Sequence, residues 1–202
     1  MPEVRAPNLE VIRRSLAATA CDDYPAGRMQ AAVALVLAGS PSDLHLCLIR
    51  RAEHEHDRWS GHMALPGGRV DSRDMSIRAA AVRETSEEVG LQLEHSVPLG
   101  ALGTMPVSSA GKQTGISLFP FVFHLGETLE PLVPNDEVVE SFWVPLRHLL
   151  DVRNAAYRRT FRDGLTADRP AVVYQGHHIW GLTYRVLAAF FERLQLRIAG
   201  PE

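Results

Sequence analysis

Apolar and polar positions fall into blocks along the chain, and the period and length of each block predict an element. Residues 7–18 carry Leu9, Val11, Ile12 and Leu16 at helical spacing, which predicts a first helix over about 8–18. A turn-rich connector follows over 22–27. Two apolar runs, 31–38 and 44–49, flank the turn formers Gly39-Ser40-Pro41-Ser42-Asp43 and predict a β-hairpin. After a charged stretch at 50–61, residues 67–91 predict a glycine turn, a short polar loop and one helix. Ile77, Ala80, Ala81 and Val89 form the buried stripe of that helix. Asp74 or Ser76 is placed to cap its start, and Gly90 to end it. Residues 97–107 predict a strand, 108–115 a flexible polar loop that gates substrate, and 116–125 a core strand in which Pro120 marks a bulge or an edge. A turn at 131–137, a strand at 138–144, a short helix at 145–150 and paired strands around Asp163-Gly164 within 157–176 come next. Leu182, Val186, Leu187, Phe190, Leu194 and Ile198 predict a closing helix over 179–198. Strands before and after a central helix, closed by a last helix, predict an α/β fold with a mixed sheet between helical layers. The 202 residues suit one domain, 1–202.

A formal net charge of −3 gives no general pull toward nucleic acid or a membrane. No basic stripe with interleaved aromatics is present. Cys21 and Cys47 are too few and too far apart for a disulfide scaffold or a zinc site. They are expected to be reduced thiols in a cytoplasmic protein, with Cys47 in the core. No apolar run has the length of a bilayer span or the flanks of a signal peptide. The first helix and Trp143 or Trp180 are compatible with a homodimer interface, although core packing is the commoner use of such residues.

The acidic cluster on the central helix changes the picture. Glu84, Glu87 and Glu88 stand at i, i+3 and i+4 and project from one face. Crowded carboxylates repel, and a hard cation such as Mg²⁺ or Mn²⁺ removes the repulsion while joining carboxylate oxygens to a substrate phosphate. A solvated acidic face is the plain alternative. The paired glycines before the helix, the adjoining Arg83 and the closing Gly90 favour the metal. Arg83, four residues before Glu87, can hold a carboxylate in place without competing for the ion. Gly67 and Gly68 lack Cβ atoms, so their backbone can approach a phosphate closely or offer a ligand carbonyl. Arg50, Arg51 or Arg58 is placed to clamp a diphosphate or an acidic substrate tail. His54 and His56 supply nothing that hard-cation chemistry requires.

Residues 67–91 resemble the Nudix box, G-x5-E-x7-R-E-U-x-E-E-x-G-U, in which U is a bulky aliphatic residue. Arg83-Glu84-Thr85-Ser86-Glu87-Glu88-Val89-Gly90-Leu91 matches its second half, with Thr85 in an aliphatic slot. In the first half, Gly68 and Asp74 take the Gly and Glu slots with one extra residue before Arg83. An ungapped alignment puts Arg69 and Met75 there instead. The resemblance implies the Nudix α/β/α sandwich. It also implies a metal-dependent pyrophosphohydrolase that cleaves the diphosphate of a nucleoside diphosphate linked to another moiety. By the same resemblance, Glu84, Glu87, Glu88 and the Gly68 carbonyl are the metal ligands, Arg83 steers Glu84, and the base is Glu84 or a later loop residue, Asp136 or Glu137.

The stretch just upstream is similar to the motif of Nudix coenzyme A pyrophosphatases, roughly L-L-T-x-R-S-x3-R-x3-G-x3-F-P-G-G. Leu48-Ile49, Gly61 and Pro66-Gly67-Gly68 fall in register. The motif's arginines meet Ala52 and Asp57, with Arg51 and Arg58 one residue away. Ile179-Trp180-Gly181-Leu182-Thr183 also looks like that subgroup. The implied substrate is coenzyme A or a derivative, and the alternative is a nucleotide sugar or a dinucleotide. A non-catalytic Nudix-like ligand-binding domain is the rival of another class, but such domains often lose the box glutamates that this chain keeps.

Overall fold

The computed structural model describes residues 6–17, 29–53, 59–94, 96, 98–109, 112–162 and 165–201. In chain order the elements are α1 (Leu9–Leu16), β1 (Gln30–Ser40), β2 (Asp43–Arg51), β3 (Met63–Ala64), β4 (Gly67–Arg69), α2 (Ile77–Val89), β5 (Pro98–Ala101), β6 (Met105–Ser109), β7 (Lys112–Gly126), β8 (Val138–Pro145), α3 (Leu146–Leu150), β9 (Ala155–Arg162), β10 (Leu165–Tyr174), β11 (His177–Trp180) and α4 (Gly181–Arg193).

β1 is apolar almost throughout because both of its faces are covered. Ala32, Ala34 and Val36 pack with Ala80, Ala81 and Val89 of α2 and with Phe121 and Phe123 of β7. Leu35 and Leu37 point the other way, into a cluster with Ile12 and Leu16 of α1 and Val186, Leu187, Phe190 and Phe191 of α4. Small alanines on both sides of the first interface let α2 sit close to the sheet. The main sheet runs β3-β2-β1-β7-β5, with β4 also on β1, β6 on β7 and β8 on β2. β1 and β7 are parallel and the other pairs antiparallel, so the sheet is mixed. With α2 on one face and α1 and α4 on the other, this is the expected α/β/α sandwich. β9, β10 and β11 form a separate antiparallel sheet, and Val172 and Ile179 tie it into the α4 side of the core.

Several boundaries differ from the sequence expectation. Gly67-Gly68 is not a turn but part of β4, paired with Val33 and Ala32 of β1. The strand expected over 97–107 is two strands, broken before β6 where Gly103 adopts φ 83°. The expected polar loop at 108–115 is largely a β6–β7 hairpin, in which Ser108 faces Gln113 and Ser109 faces Lys112. Among the described residues β6 pairs with β7 alone, so its other side faces no described strand and polar residues are tolerated there. Pro120 is not on an edge: it lies in β7, between its partner on β1 and the point where β6 gives way to β5. Its carbonyl accepts from Leu102 N–H (3.0 Å) in that gap. The closing helix starts only at Gly181, because 177–180 is strand. The strands at 155–162 and 165–174 are longer than expected. Asp163-Gly164, the connector at 22–27 and Cys21 lie outside the described residues. Cys47 is buried, as expected. Among the described residues no helix is long and apolar enough to cross a membrane.

Candidate active site

Local chemistry fixes α2 at both ends. The Ser76 hydroxyl caps its start by accepting from Ala79 N–H (3.2 Å). Gly90 ends it at φ 75°, its N–H donating to Ser86 O (3.0 Å). Thr85, in the aliphatic slot, is fully buried, and its hydroxyl donates to Ala81 O (2.7 Å). A hydroxyl satisfied by the helix's own backbone behaves there as an apolar side chain.

The acidic face of α2 lies against β4. Gly67 N–H donates to Glu88 Oε2 at 2.8 Å. Gly67 holds φ 145°, and a Cβ there would lie 2.2 Å from Ala32 O, so only glycine serves. At Gly68 a Cβ would fall 2.5 Å from Glu84 Oε1, so the bare backbone is what leaves room for that carboxylate.

Arg83 organises the cluster. Its Nε and Nη2 donate to Asp74 Oδ1 and Oδ2, each at 2.9 Å, a two-pronged pair. Its Nη1 donates to Glu84 Oε1 and Glu87 Oε2, both at 2.9 Å. Asp71 N–H adds a bond to Asp74 Oδ2 (2.7 Å). Asp74, left open between helix cap and acidic slot, is therefore the buried anchor of Arg83. The Arg83 guanidinium holds the Asp74 carboxyl below its usual range, and Asp74 in turn raises Arg83.

Burial drives two of the carboxyls, Glu88 and Glu84, upward. Glu88, 2% exposed, is pushed up to about 7. Desolvation is the main cause, opposed by the Gly67 N–H and reinforced by the charge of Glu84. Glu84 is also raised, by burial first, against the pull of Arg83. Arg51 Nη1 lies 3.7 Å from Glu88 Oε1 and offsets part of its charge.

These residues line a cavity of about 1050 Å³. One wall is acidic: Glu84, Glu87, Glu88 and Glu137, with Arg51, Gly67 and Gly68 among them. The rest of the lining is largely apolar and aromatic and includes Met29, Ile116, Leu118, Trp180, Leu182 and Val186. His62 and Trp180 touch with ring centroids 4.7 Å apart.

The predicted site residues are thus mostly brought together, with two exceptions. Arg50 and Arg51 alternate along β2, so only Arg51 faces the cavity. Arg50 is given to Glu140 at 2.6 Å. Arg58, His54 and His56 lie outside the described residues. Of the two later-loop candidates for the base, Glu137 lines the cavity and Asp136 is not in its lining.

The glutamate trio does not stand as a closed cage. Among the described residues no three acidic, histidine or cysteine groups converge on a common point. Glu84 and Glu87 turn to Arg83, and Glu88 turns to Gly67. The donors still suit a hard cation: carboxylate oxygens bordering one cavity, two of them raised by burial, beside a wall without Cβ atoms.

Sequence reasoning did not assign Trp180 or His62 to the site, nor Met29 and Val186. The sequence signal for Trp180 was the likeness of Ile179-Trp180-Gly181-Leu182-Thr183 to the coenzyme A pyrophosphatase subgroup, which did not by itself place the ring in a site.

The family model described as NUDIX domain matches residues 27–164. The mitochondrial coenzyme A diphosphatase NUDT8 of Homo sapiens is 31% identical over 185 residues, which covers 91% of this chain and 77% of that protein. The uncharacterized Nudix hydrolase NudL of Salmonella paratyphi B is 33% identical over 158 residues, 78% of this chain and 79% of its own length. Among solved structures, a MutT/nudix family protein from Enterococcus faecalis superposes with a TM-score of 0.52 at 18% identity, covering 89% of this chain and 66% of that one. That last likeness is one of fold.

Proposed function

The chain belongs to the NUDIX domain family and is a Nudix pyrophosphohydrolase, and on that premise we propose that its substrate is coenzyme A or a coenzyme A derivative. The observation that carries the reading is the cavity itself, whose lining joins four glutamates to apolar and aromatic side chains. Such a site receives the diphosphate on the acidic side and the organic part of the substrate on the other. The name of the human relative, a coenzyme A diphosphatase, supports this choice of substrate.

Glu84, Glu87 and Glu88, with the Gly68 carbonyl, would hold the Mg²⁺ or Mn²⁺. When bound, the ion supplies neutralisation of the diphosphate charge and a more acidic water. The chain's own groups do the rest. Arg83, fixed by Asp74, holds Glu84 and Glu87 at the cavity wall. Gly67 fixes Glu88. Arg51 reaches the phosphate side of the cavity. We assign acceptance of the attacking water's proton to Glu84 or Glu137, both of which line the cavity. Water oxygen bonds to one phosphorus, the bond to the bridging oxygen breaks, and two phosphomonoesters leave. Trp180, Leu182 and Val186 lie beyond residue 164 and complete the cavity, so we treat residues 1–202 as one functional domain.

The test is a turnover screen of coenzyme A, nucleotide sugars and dinucleotides with Mg²⁺ and with Mn²⁺, reading released monophosphates, alongside Glu87→Gln. Hydrolysis of coenzyme A to phosphomonoesters, lost in the variant, is expected. Turnover of nucleotide sugars alone would overturn the substrate. No turnover of any diphosphate would overturn the reading as a whole.

A further inference from the structure

Beside Trp180, which lines the cavity, the small sheet carries charge that hydrolysis does not use. In the small sheet, Arg158 of β9 lies directly opposite Arg169 of β10. Two residues further along β10, Ala171 lies opposite Trp180 of β11. Strand residues two apart share a face, so both arginines and Trp180 stand on the same side of this sheet. The Arg158 guanidinium carbon is 5.9 Å from the centre of the Trp180 ring. That ring in turn lines the cavity that holds the glutamates. His178, opposite Val173, is on this face too. Its imidazole is held below the usual range by burial first and by the Arg158 charge second.

Like charges set directly opposite across two strands are destabilising. The other face of the same hairpin shows how the sheet deals with an arginine where no ligand is needed. There Arg159 faces Asp168 and bonds to it at 2.9 Å. Arg158 and Arg169 have no carboxylate partner among the described residues, and both are exposed. An opposed pair of arginines beside an aromatic ring that lines the cavity is suited to a doubly charged phosphate, because each guanidinium presents a planar fork of donors.

We propose that Arg158 and Arg169 form a second anion subsite, flanked by Trp180, that binds a phosphomonoester of the substrate remote from the scissile diphosphate. The chemistry required is that of a nucleotide carrying an additional ribose phosphate, which coenzyme A has and its dephosphorylated form lacks. The placement of the scissile diphosphate rests on the proposed hydrolase reading, whereas the subsite itself does not.

The experiment compares calorimetric binding of adenosine 3′,5′-bisphosphate and adenosine 5′-monophosphate to the full chain. Wild type is expected to prefer the bisphosphate by roughly tenfold. Arg158→Gln and Arg169→Gln should each shrink that ratio, and the double variant should bring it close to one, with thermal midpoints confirming folded protein. Arg169→Lys should keep part of the preference, since it retains the charge but not the fork. Equal affinity in wild type, or an unchanged ratio in the folded double variant, overturns the proposal. The kcat/KM ratio of coenzyme A over dephospho-coenzyme A should fall in parallel. If no diphosphate is turned over but the binding ratio behaves as stated, the hydrolase reading fails and the subsite stands. If diphosphates are turned over but the bisphosphate is not preferred, the subsite fails and the hydrolase reading stands.

Discussion

Replacing Glu88 by glutamine should remove activity and, above neutral pH, make the metal-free fold more stable. Glu88 is 2% exposed and its carboxyl is pushed from 4.5 up to about 7. A carboxyl raised in the folded state favours the protonated form there. Its contribution to stability is fully present below about 4.5 and is lost as pH rises through 7. The difference corresponds to about 3 kcal/mol at pH 8 or above, from about 1.4 kcal/mol per unit. Glutamine keeps one oxygen to accept from Gly67 N–H (2.8 Å) and carries no charge at any pH. The pair it surrenders to Arg51, at 3.7 Å, is long and returns only a fraction of that cost. Denaturant melts in chelator should therefore show Glu88→Gln gaining about 2–3 kcal/mol over wild type at pH 8.5 and little at pH 4.5. Added Mg²⁺ should narrow the gap by stabilising wild type more. Destabilisation of the variant by the same amount at both pH values would refute the argument that the fold tolerates a buried, only partly compensated charge for the sake of the site.

Arg83→Ala strands the Asp74 carboxylate, 3% exposed, without its partner. Melts should show a loss of about 3–5 kcal/mol, together with loss of turnover. Gly68→Ala puts a Cβ 2.5 Å from Glu84 Oε1. Turnover should fall by about tenfold or more with only a small change in thermal midpoint, since Gly68 itself needs no positive φ. Thr85→Val restores the aliphatic residue of the motif and removes only a hydroxyl bonded to Ala81 O. Stability should stay within about 1 kcal/mol of wild type and kcat should be unchanged in a steady-state assay.

The helix of the acidic cluster was legible from residue spacing. Its alanine stripe, its Ser76 cap and its Gly90 stop are local features, and they fall where periodicity puts them. The hairpin of β1 and β2 was legible for the same reason, being two apolar runs around turn formers. The role of Asp74 was not, because it depends on the loop folding back so that Arg83, nine residues later, meets it. Arg50 and Arg51 could be separated only once β2 was known to extend through both, which fixes their opposite faces. Trp180 was hidden inside a helical pattern that began at Ile179, and strand pairing with Ala171 took it out of that helix. The β6–β7 hairpin was masked by its polarity, which an edge strand permits.

The central claim is that the acidic face of α2 grips a divalent cation at the diphosphate side of the cavity. Mn²⁺ binding followed by electron paramagnetic resonance, in wild type and in Glu87→Gln/Glu88→Gln, tests it most directly. Wild type should take up Mn²⁺, and the folded double variant should bind it roughly a hundredfold more weakly, as expected when two carboxylate ligands are removed. Equal Mn²⁺ affinity in the two proteins would contradict the claim.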